Sequence, residues 1–165
     1  MGKENTIFTT KEGSLGSKQA TTNPNFAALV VEFFSDLGVT EGDTIAVSIT
    51  GSFPGANIAL LSACEVMEIY PVIISSLGSS SWGANELGTT WIDIEEHLLR
   101  NRVFDFKSLA MSMGGDEDKA IELSTDAVYK MRELIGRKRD FIFHEDVLNS
   151  IAHRLNIYKS VKELD

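Results

Sequence analysis

Residues 45–55 read Ile45-Ala46-Val47-Ser48-Ile49-Thr50-Gly51-Ser52-Phe53-Pro54-Gly55, and this stretch decides the fold. Isoleucine and valine alternate in its first half with Ala, Ser and Thr, which predicts a β-strand that ends in a glycine-containing loop. Apolar residues at positions 56–69 then cover most of a helix circumference, which indicates a well-buried helix. The short apolar run at 71–76 is typical of a central parallel strand. These segments predict a strand–helix–strand unit.

The alternation of strand and helix continues on both sides of this unit. Further strands are predicted at 109–113 and at 140–143, the second of them short and at an edge of the sheet. Helices are predicted from Asn23-Pro24 to Gly38, around Trp91, Ile94 and Leu98, after the Ser124 cap, and along an apolar stripe formed by Val147, Leu148, Ile151 and Leu155. Four alternations predict an α/β fold: a three-layer, mostly parallel, Rossmann-like sheet of four to five strands with helices on both faces.

The composition fits one folded domain. The chain has 165 residues, of which 43% are hydrophobic and 24% charged, so it can bury a core. We assign residues 1–22 to a polar, extended N-terminal arm and residues 23–165 to a single α/β domain. The net charge of −9 argues against a nucleic-acid partner, and the one cysteine, Cys64, excludes an intramolecular disulfide. Without a signal peptide or a membrane-spanning run, the chain as given is expected to be soluble.

The charge is unevenly distributed along the chain. No Lys or Arg occurs between Lys18 and Arg100, and residues 19–99 carry ten acidic residues. An anion bound in this half must therefore be held by backbone N–H groups, by hydroxyls, by a metal or by cations that reach in from elsewhere.

Three loops follow the predicted strands at the carboxyl edge of the sheet, where the ligand sites of open α/β sheets form. They are residues 48–55, 75–86 and 112–116, and they offer hydroxyls, an amide, acids and small residues. The second loop exceeds the usual ~2–6 residues of such connections, which favours a functional role. The residues predicted to bind a small polar or carboxylate ligand are Thr50, Gly51, Ser52, Gly55, Ser79, Ser80, Ser81, Trp82, Asn85, Gly114, Gly115 and Asp116.

A serine-dependent enzyme is a second hypothesis that these loops permit. Ser52 or Ser81 would attack, His97 would act as the base, and Asp93 would orient the histidine. Asp93 and His97 are also spaced like an ordinary ion pair on a helix surface, and we favour that interpretation. The P-loop, dinucleotide and Gly-x-Ser-x-Gly motifs are absent, and no metal site and no cofactor are predicted.

Trp82 lies in a loop that otherwise consists of small and polar residues. Indole is large and carries one hydrogen-bond donor, so Trp82 is expected either to cover a ligand or to plug a groove of its own domain. The sequence leaves both alternatives open.

Several strings of the sequence resemble the poly-gamma-glutamate system protein family. They are Gly13–Lys18, Thr21–Leu29, Gly51–Ala59, Pro71-Val72, Ser79–Asn85, Thr90–Glu95 and Gly114–Asp116. That family accompanies the ligase and membrane components that make and export poly-γ-glutamate capsule, and the resemblance covers nearly the whole chain. Its members begin with a hydrophobic anchor, so the resemblance implies a membrane-anchored full-length protein. The family has no assigned reaction, so the resemblance implies no catalytic residues.

Two functions are therefore expected. The first is an accessory binding or assembly component of a poly-γ-glutamate system, with the three loops as a pocket for a small polar or carboxylate ligand. The alternative is a serine-dependent hydrolase or transferase that acts on a γ-glutamyl amide or precursor. The expected partners are the other components of that system and a second copy of the chain, because a polar arm and an apolar helix favour a homodimer.

Overall fold

The computed structural model describes residues 2–162, and it contains two parallel sheets with helices around them. The strands are β1 (Thr9–Lys11), β2 (Thr44–Thr50), β3 (Tyr70–Ser76), β4 (Ser79–Ser80), β5 (Ser108–Ser112) and β6 (Asp140–Phe141). The helices are α1 (Leu15–Ala20), α2 (Asn25–Asp36), α3 (Pro54–Val66), α4 (Trp91–Arg100), α5 (Thr125–Gly136) and α6 (Val147–Lys162). The main sheet has the order β2-β3-β5-β6, and β1 pairs with β4 in a small second sheet.

The central strand–helix–strand unit has the predicted structure. β2 and β3 pair in parallel with Thr44 opposite Tyr70 and Thr50 opposite Ser76. Val47 and Ile49 of β2 are buried, whereas Ser48 between them is exposed, as expected for a strand at an edge of the sheet. β3 lies between β2 and β5 and is buried along its second half, which confirms the prediction of a central parallel strand.

Two apolar clusters lie on opposite faces of the main sheet. The larger one contains Ile73 and Met111 and joins the strands to α3, α4 and α5. The smaller one contains Ile74 and Ala110 and is covered by α6 through Tyr158. Adjacent residues of a strand point to opposite faces, which is why Ile73 and Ile74 belong to different clusters. The predicted three-layer α/β fold with helices on both faces is therefore confirmed.

α3 is the best-buried helix beside the sheet. Its buried residues include Leu61 and Cys64, as the apolar circumference of this segment predicts. Burial raises the pKa of the Cys64 thiol to about 11, so this cysteine is a neutral core residue and is poorly suited to be a nucleophile.

α2 packs on the outside of α3 and remains largely exposed. Phe26 and Val30 are half-buried, but Leu29, Phe33 and Leu37 are exposed, and no residue of α2 is fully buried. The helix lies near the predicted position, with Pro24 rather than Asn23 as the flanking residue. Within residues 2–162, no helix is long and apolar enough to cross a bilayer.

α6 forms where predicted, but the predicted orientation of its apolar stripe is wrong. The stripe residues Val147, Leu148, Ile151 and Leu155 are all exposed. The helix instead directs Ser150 and Arg154 toward the carboxyl end of β5, where both contact the Asp118 carboxylate. Hydrogen bonds to this half-buried acid, together with the contact of Tyr158, therefore decide which side of α6 faces the sheet.

The N-terminal segment, residues 2–22, was expected to be extended, but part of it is helical. Ser14 caps α1 by accepting a hydrogen bond from the Ser17 N–H group. Within the same segment Phe8 and Lys18 are almost completely buried. The segment thus lies on the surface of the domain and is anchored there by a few buried side chains, Phe8, Lys18 and Thr21.

Candidate functional site

The three predicted loops meet at one edge of the main sheet. The Gly51 N–H group donates to the Ser76 carbonyl (3.1 Å), which joins the first loop to the end of β3. Leu77 N–H donates to Ser112 O (3.0 Å), and Ala84 N–H donates to Gly51 O (2.7 Å). The prediction that these loops share the carboxyl edge of adjacent parallel strands is confirmed.

The N-terminal segment covers this edge. β1 pairs with β4, with the Ser79 N–H group donating to Phe8 O and the Ser81 N–H group donating to Lys11 O (2.9 Å). Phe8 is completely buried beneath this pairing. The chain's own backbone therefore fills the space above the second loop, where the sequence suggested a ligand.

Asn85 holds the first residues of the segment. Its amide nitrogen donates to Lys3 O (2.7 Å) and to Thr9 Oγ1 (2.9 Å), and its amide oxygen accepts from Lys3 N–H (3.1 Å). The neighbouring Trp82 also donates its backbone N–H to Lys3 O. Trp82 is half-buried and has a left-handed backbone conformation (φ 66°), which is strained for a large side chain.

Lys18 holds the other end of the segment. Its ammonium group donates to Ser52 O and to Ser80 Oγ (2.7 Å) and lies 4.3 Å above the ring of Phe53. The side chain is 2% exposed, and burial lowers the pKa of its ammonium group below the ordinary value. Two acceptors and an aromatic face replace the water that this cation loses, so Lys18 joins α1 to both the first and the second loop.

The hydroxyl groups of the first two loops bond mainly to the protein backbone. Thr50 Oγ1 accepts from Ser52 N–H, and Ser52 Oγ accepts from Ser80 N–H (3.0 Å). Ser79 Oγ donates to Gly51 O (2.9 Å), and Ser81 Oγ donates to Lys11 O (3.4 Å). These pairings hold the loops in shape, and they occupy the buried hydroxyls of Ser79 and Ser81.

Gly55, at the start of α3, allows the N-terminal segment to approach closely. A Cβ atom on Gly55 would lie only 2.9 Å from the Thr21 carbonyl oxygen. This glycine therefore serves a contact within the chain.

The structure does not assemble the sequence-based catalytic triad. Both carboxylate oxygens of Asp93 are engaged: one accepts from Thr90 N–H and Oγ1, and the other lies 3.3 Å from Lys138 Nζ. Asp93 thus closes a capping box at the start of α4, and His97 lies exposed on the same helix.

The third loop begins with a sharp backbone turn. Gly114 and Gly115 both have φ 71°, and a Cβ atom on Gly114 would lie 2.9 Å from the Cβ atom of Ser76. The carboxylate of Asp116 turns outward and pairs with Lys11 Nζ at 2.8 Å. The hydrogen bond and the charge of Asp116 raise the pKa of the exposed Lys11. Asp116 therefore contacts the N-terminal segment as well.

A polar cluster just beyond this loop was not predicted. The Asp118 carboxylate accepts from Ser112 Oγ (2.5 Å), Ser150 Oγ (2.6 Å) and Arg154 Nη2 (2.8 Å). Glu117, Asp118 and Ala120 all have positive φ values, so the backbone is strained where it presents this acid. The acid-rich string after Gly115 was visible in the sequence, but its partner Arg154 lies far along the chain.

The largest group of basic residues lies at the opposite edge of the sheet. A cleft of about 410 Å³ there is lined by Lys107, Ser108, Leu109, Gly136, Arg137, Lys138, Arg139 and Asp140. Arg139 pairs with Glu95 and Glu96, Lys138 pairs with Asp93, and Arg137 pairs with Glu133. Most of these cations are therefore neutralised within the chain.

Comparisons of the chain with protein-family models, with the curated proteins and with the solved structures give no match.

We predict that Lys18→Met destabilises the protein by about 1–3 kcal/mol, the usual cost of leaving a buried acceptor without its donor. Methionine keeps the length of the side chain but gives Ser52 O and Ser80 Oγ no donor. Urea denaturation at neutral pH measures the difference. Lys11→Met is the matched control, because Lys11 is exposed and the loss of its ion pair should destabilise the protein much less than the loss of the buried Lys18.

The difference in stability between the wild type and Lys18→Met is expected to depend on pH. The folded-state pKa of Lys18 is lower than its unfolded value, so the unfolded chain binds more protons between these two values. The stability of the wild type relative to Lys18→Met should therefore rise with pH in that alkaline range. A stability difference that falls there would contradict the burial of the charge.

We predict that Asn85→Ala releases the start of the N-terminal segment. The variant loses three hydrogen bonds to Lys3 and Thr9, so amide hydrogen exchange should accelerate across residues 3–11 while β3 stays protected. Asn101→Ala is the control, because the Asn101 amide contacts only His97 O on an exposed helix end. Unchanged protection of residues 3–11 in Asn85→Ala would refute this role.

Proposed function

We propose that the protein is an accessory assembly component of a poly-γ-glutamate synthesis or export system and that it acts through protein contacts rather than through catalysis. One observation supports this most: four of the strings that resemble the family lie together at the carboxyl edge of the sheet, namely Gly13–Lys18, Gly51–Ala59, Ser79–Asn85 and Gly114–Asp116. The N-terminal segment, the second loop and the turn at Gly114 contact one another there through backbone hydrogen bonds and close glycine contacts. Strings that are far apart in the sequence thus build one continuous layer.

The closed state of that layer favours a protein partner over a small ligand. The hydroxyls of Ser79 and Ser81 and the Asn85 amide are buried and already paired, so a small polar ligand that used them would have to displace the N-terminal segment. A ligand that replaces existing hydrogen bonds gains little net free energy. The outer surface of the layer, by contrast, is available to another protein.

Charge argues against the polymer itself as the ligand. Poly-γ-glutamate is a polyanion, and residues 19–99, which supply two of the three loops, contain no Lys or Arg. In the basic cleft at the other edge, Arg137, Lys138 and Arg139 are paired with acids of the same chain. The supported role is therefore one in organising other components of the system.

One contact favours the enzymatic alternative, a serine-dependent hydrolase or transferase. Lys18 Nζ lies 2.7 Å from Ser80 Oγ, and burial lowers the pKa of this lysine, which are the features of a serine–lysine pair. Ser80, rather than Ser52 or Ser81, would then be the nucleophile. Lys18 also donates to Ser52 O and contacts the Phe53 ring, and these contacts fit a structural cation.

Substitution of Ser80 separates the two functions. In a polymer-producing cell whose own copy has been removed, Ser80→Ala at matched protein level should restore polymer output as well as the wild type, because Lys18 keeps Ser52 O and the Phe53 ring as partners and an assembly role needs no nucleophile. Asn85→Ala, which opens the layer, should restore less polymer at equal protein level. The measurement is the polymer released per cell.

Two results would count against the proposal. Loss of polymer in Ser80→Ala, with normal protein level and melting temperature, would favour the enzyme. Unchanged polymer output after removal of the protein would refute a role in this system.

A further inference from the structure

α2 carries an exposed apolar ridge that nothing in the described chain covers. Eight of its twelve residues are apolar, yet none of them is fully buried. Leu29, Phe33 and Leu37 follow one another at helical spacing on its outer side, and Phe33 is 55% exposed. A helix with this composition normally buries its apolar side chains against another part of a protein.

Acids border this ridge. Glu32 and Asp36 lie on the same exposed side of α2, next to Phe33 and Leu37. None of the ion pairs within residues 2–162 involves Glu32 or Asp36. An occupant of the ridge must therefore combine an apolar contact with a positive charge.

A matching recess lies on the other face of the sheet, beside α6. It has a volume of about 320 Å³, is open to solvent and is lined by Thr44, Ala46, Val72, Leu155, Tyr158 and Lys159. Its walls are mostly apolar, and Lys159 supplies a positive charge at its side. This recess has room for a phenyl ring.

We propose that copies of this chain associate head to tail, with Phe33 of one copy inserted into the α6 recess of the next. The contact places Glu32 and Asp36 of the first copy near Lys159 of the second. It also covers the exposed Leu155 at the wall of the recess. A single contact thus covers an apolar surface on each face of the molecule.

Charge and geometry favour this arrangement over a twofold dimer. Two α2 ridges packed face to face would bring four acids together without a base between them. α2 packs outside α3, on the face of the sheet opposite α6. Two copies therefore cannot bury both ridges and both recesses in one closed dimer. Each added copy leaves one ridge and one recess free, and association therefore continues beyond a dimer.

The expected affinity is low. One aromatic side chain with its neighbours covers less than the roughly 1,200–2,000 Å² that stable complexes bury. Association should therefore depend on concentration in the micromolar to millimolar range.

Sedimentation equilibrium on the full chain tests the proposal. The average mass of the wild type should rise with concentration past that of a dimer. Phe33→Glu places a charge on the ridge, and Leu155→Glu places a charge in the recess. Each variant alone should therefore stay monomeric. An equimolar mixture of the two should form a heterodimer and stop there, because each variant retains the surface that the other lacks.

Leu148→Glu is the matched control, because Leu148 is an exposed residue of α6 (73%) outside the recess and its substitution should leave association unchanged. Circular dichroism checks that each variant is folded. A wild type that stays monomeric at millimolar concentration, a wild type that stops at a dimer, or a mixture that stays monomeric would each overturn the head-to-tail arrangement.

Discussion

The buried ammonium group of Lys18 is the interaction on which the carboxyl edge of the sheet depends. It is the last cation before a long acidic stretch, and it bonds the first loop through Ser52 O and the second loop through Ser80 Oγ. A buried cation without a carboxylate partner is costly unless its donors are satisfied. Here the two oxygen acceptors and the ring of Phe53 satisfy it, and the N-terminal segment is fixed over the loops as a result.

Because the N-terminal segment covers the loops, their glycines and serines serve contacts within the chain. Their glycines and serines look in the sequence like the lining of an open pocket. In the structure they allow a second part of the chain to lie against them, as Gly55 does for Thr21 and as Ser79 does for Phe8. The proposed assembly role rests on this closed, internally bonded layer, whose buried hydroxyls and amide are paired within the chain.

The sequence predicts those helices and strands that are determined by a few neighbouring residues. The alternation in β2, the apolar run of β3 and the Ser124 cap of α5 each depend on a few neighbouring residues, and each is confirmed. The structure of the N-terminal segment could not be predicted in this way, because its hydrogen bonds join residues as far apart as Lys3 and Asn85, 82 positions away. A polar composition gives no local sign that such a segment will carry buried side chains.

The side of α6 that faces the sheet could not be predicted for a related reason. Its apolar stripe would normally face the core, but Arg154 and Ser150 bind an acid on a strained turn that lies far away in the sequence. The candidate site likewise depends on contacts between residues that are far apart in the sequence. The shared edge of the three loops followed from strand order, whereas the partners of Ser80 and Asn85 followed only from the three-dimensional contacts.

The central claim, that Lys18 is a buried cation fixing the N-terminal segment over the loops, can be measured directly by NMR of the lysine Nζ groups. We expect one ammonium group whose hydrogens exchange slowly with water at neutral pH and whose pKa lies below the ordinary lysine value. Substitution of Lys18 should remove that signal. If the Lys18 ammonium group instead exchanges rapidly with water and its pKa is not lowered, Lys18 is solvated and does not fix the segment.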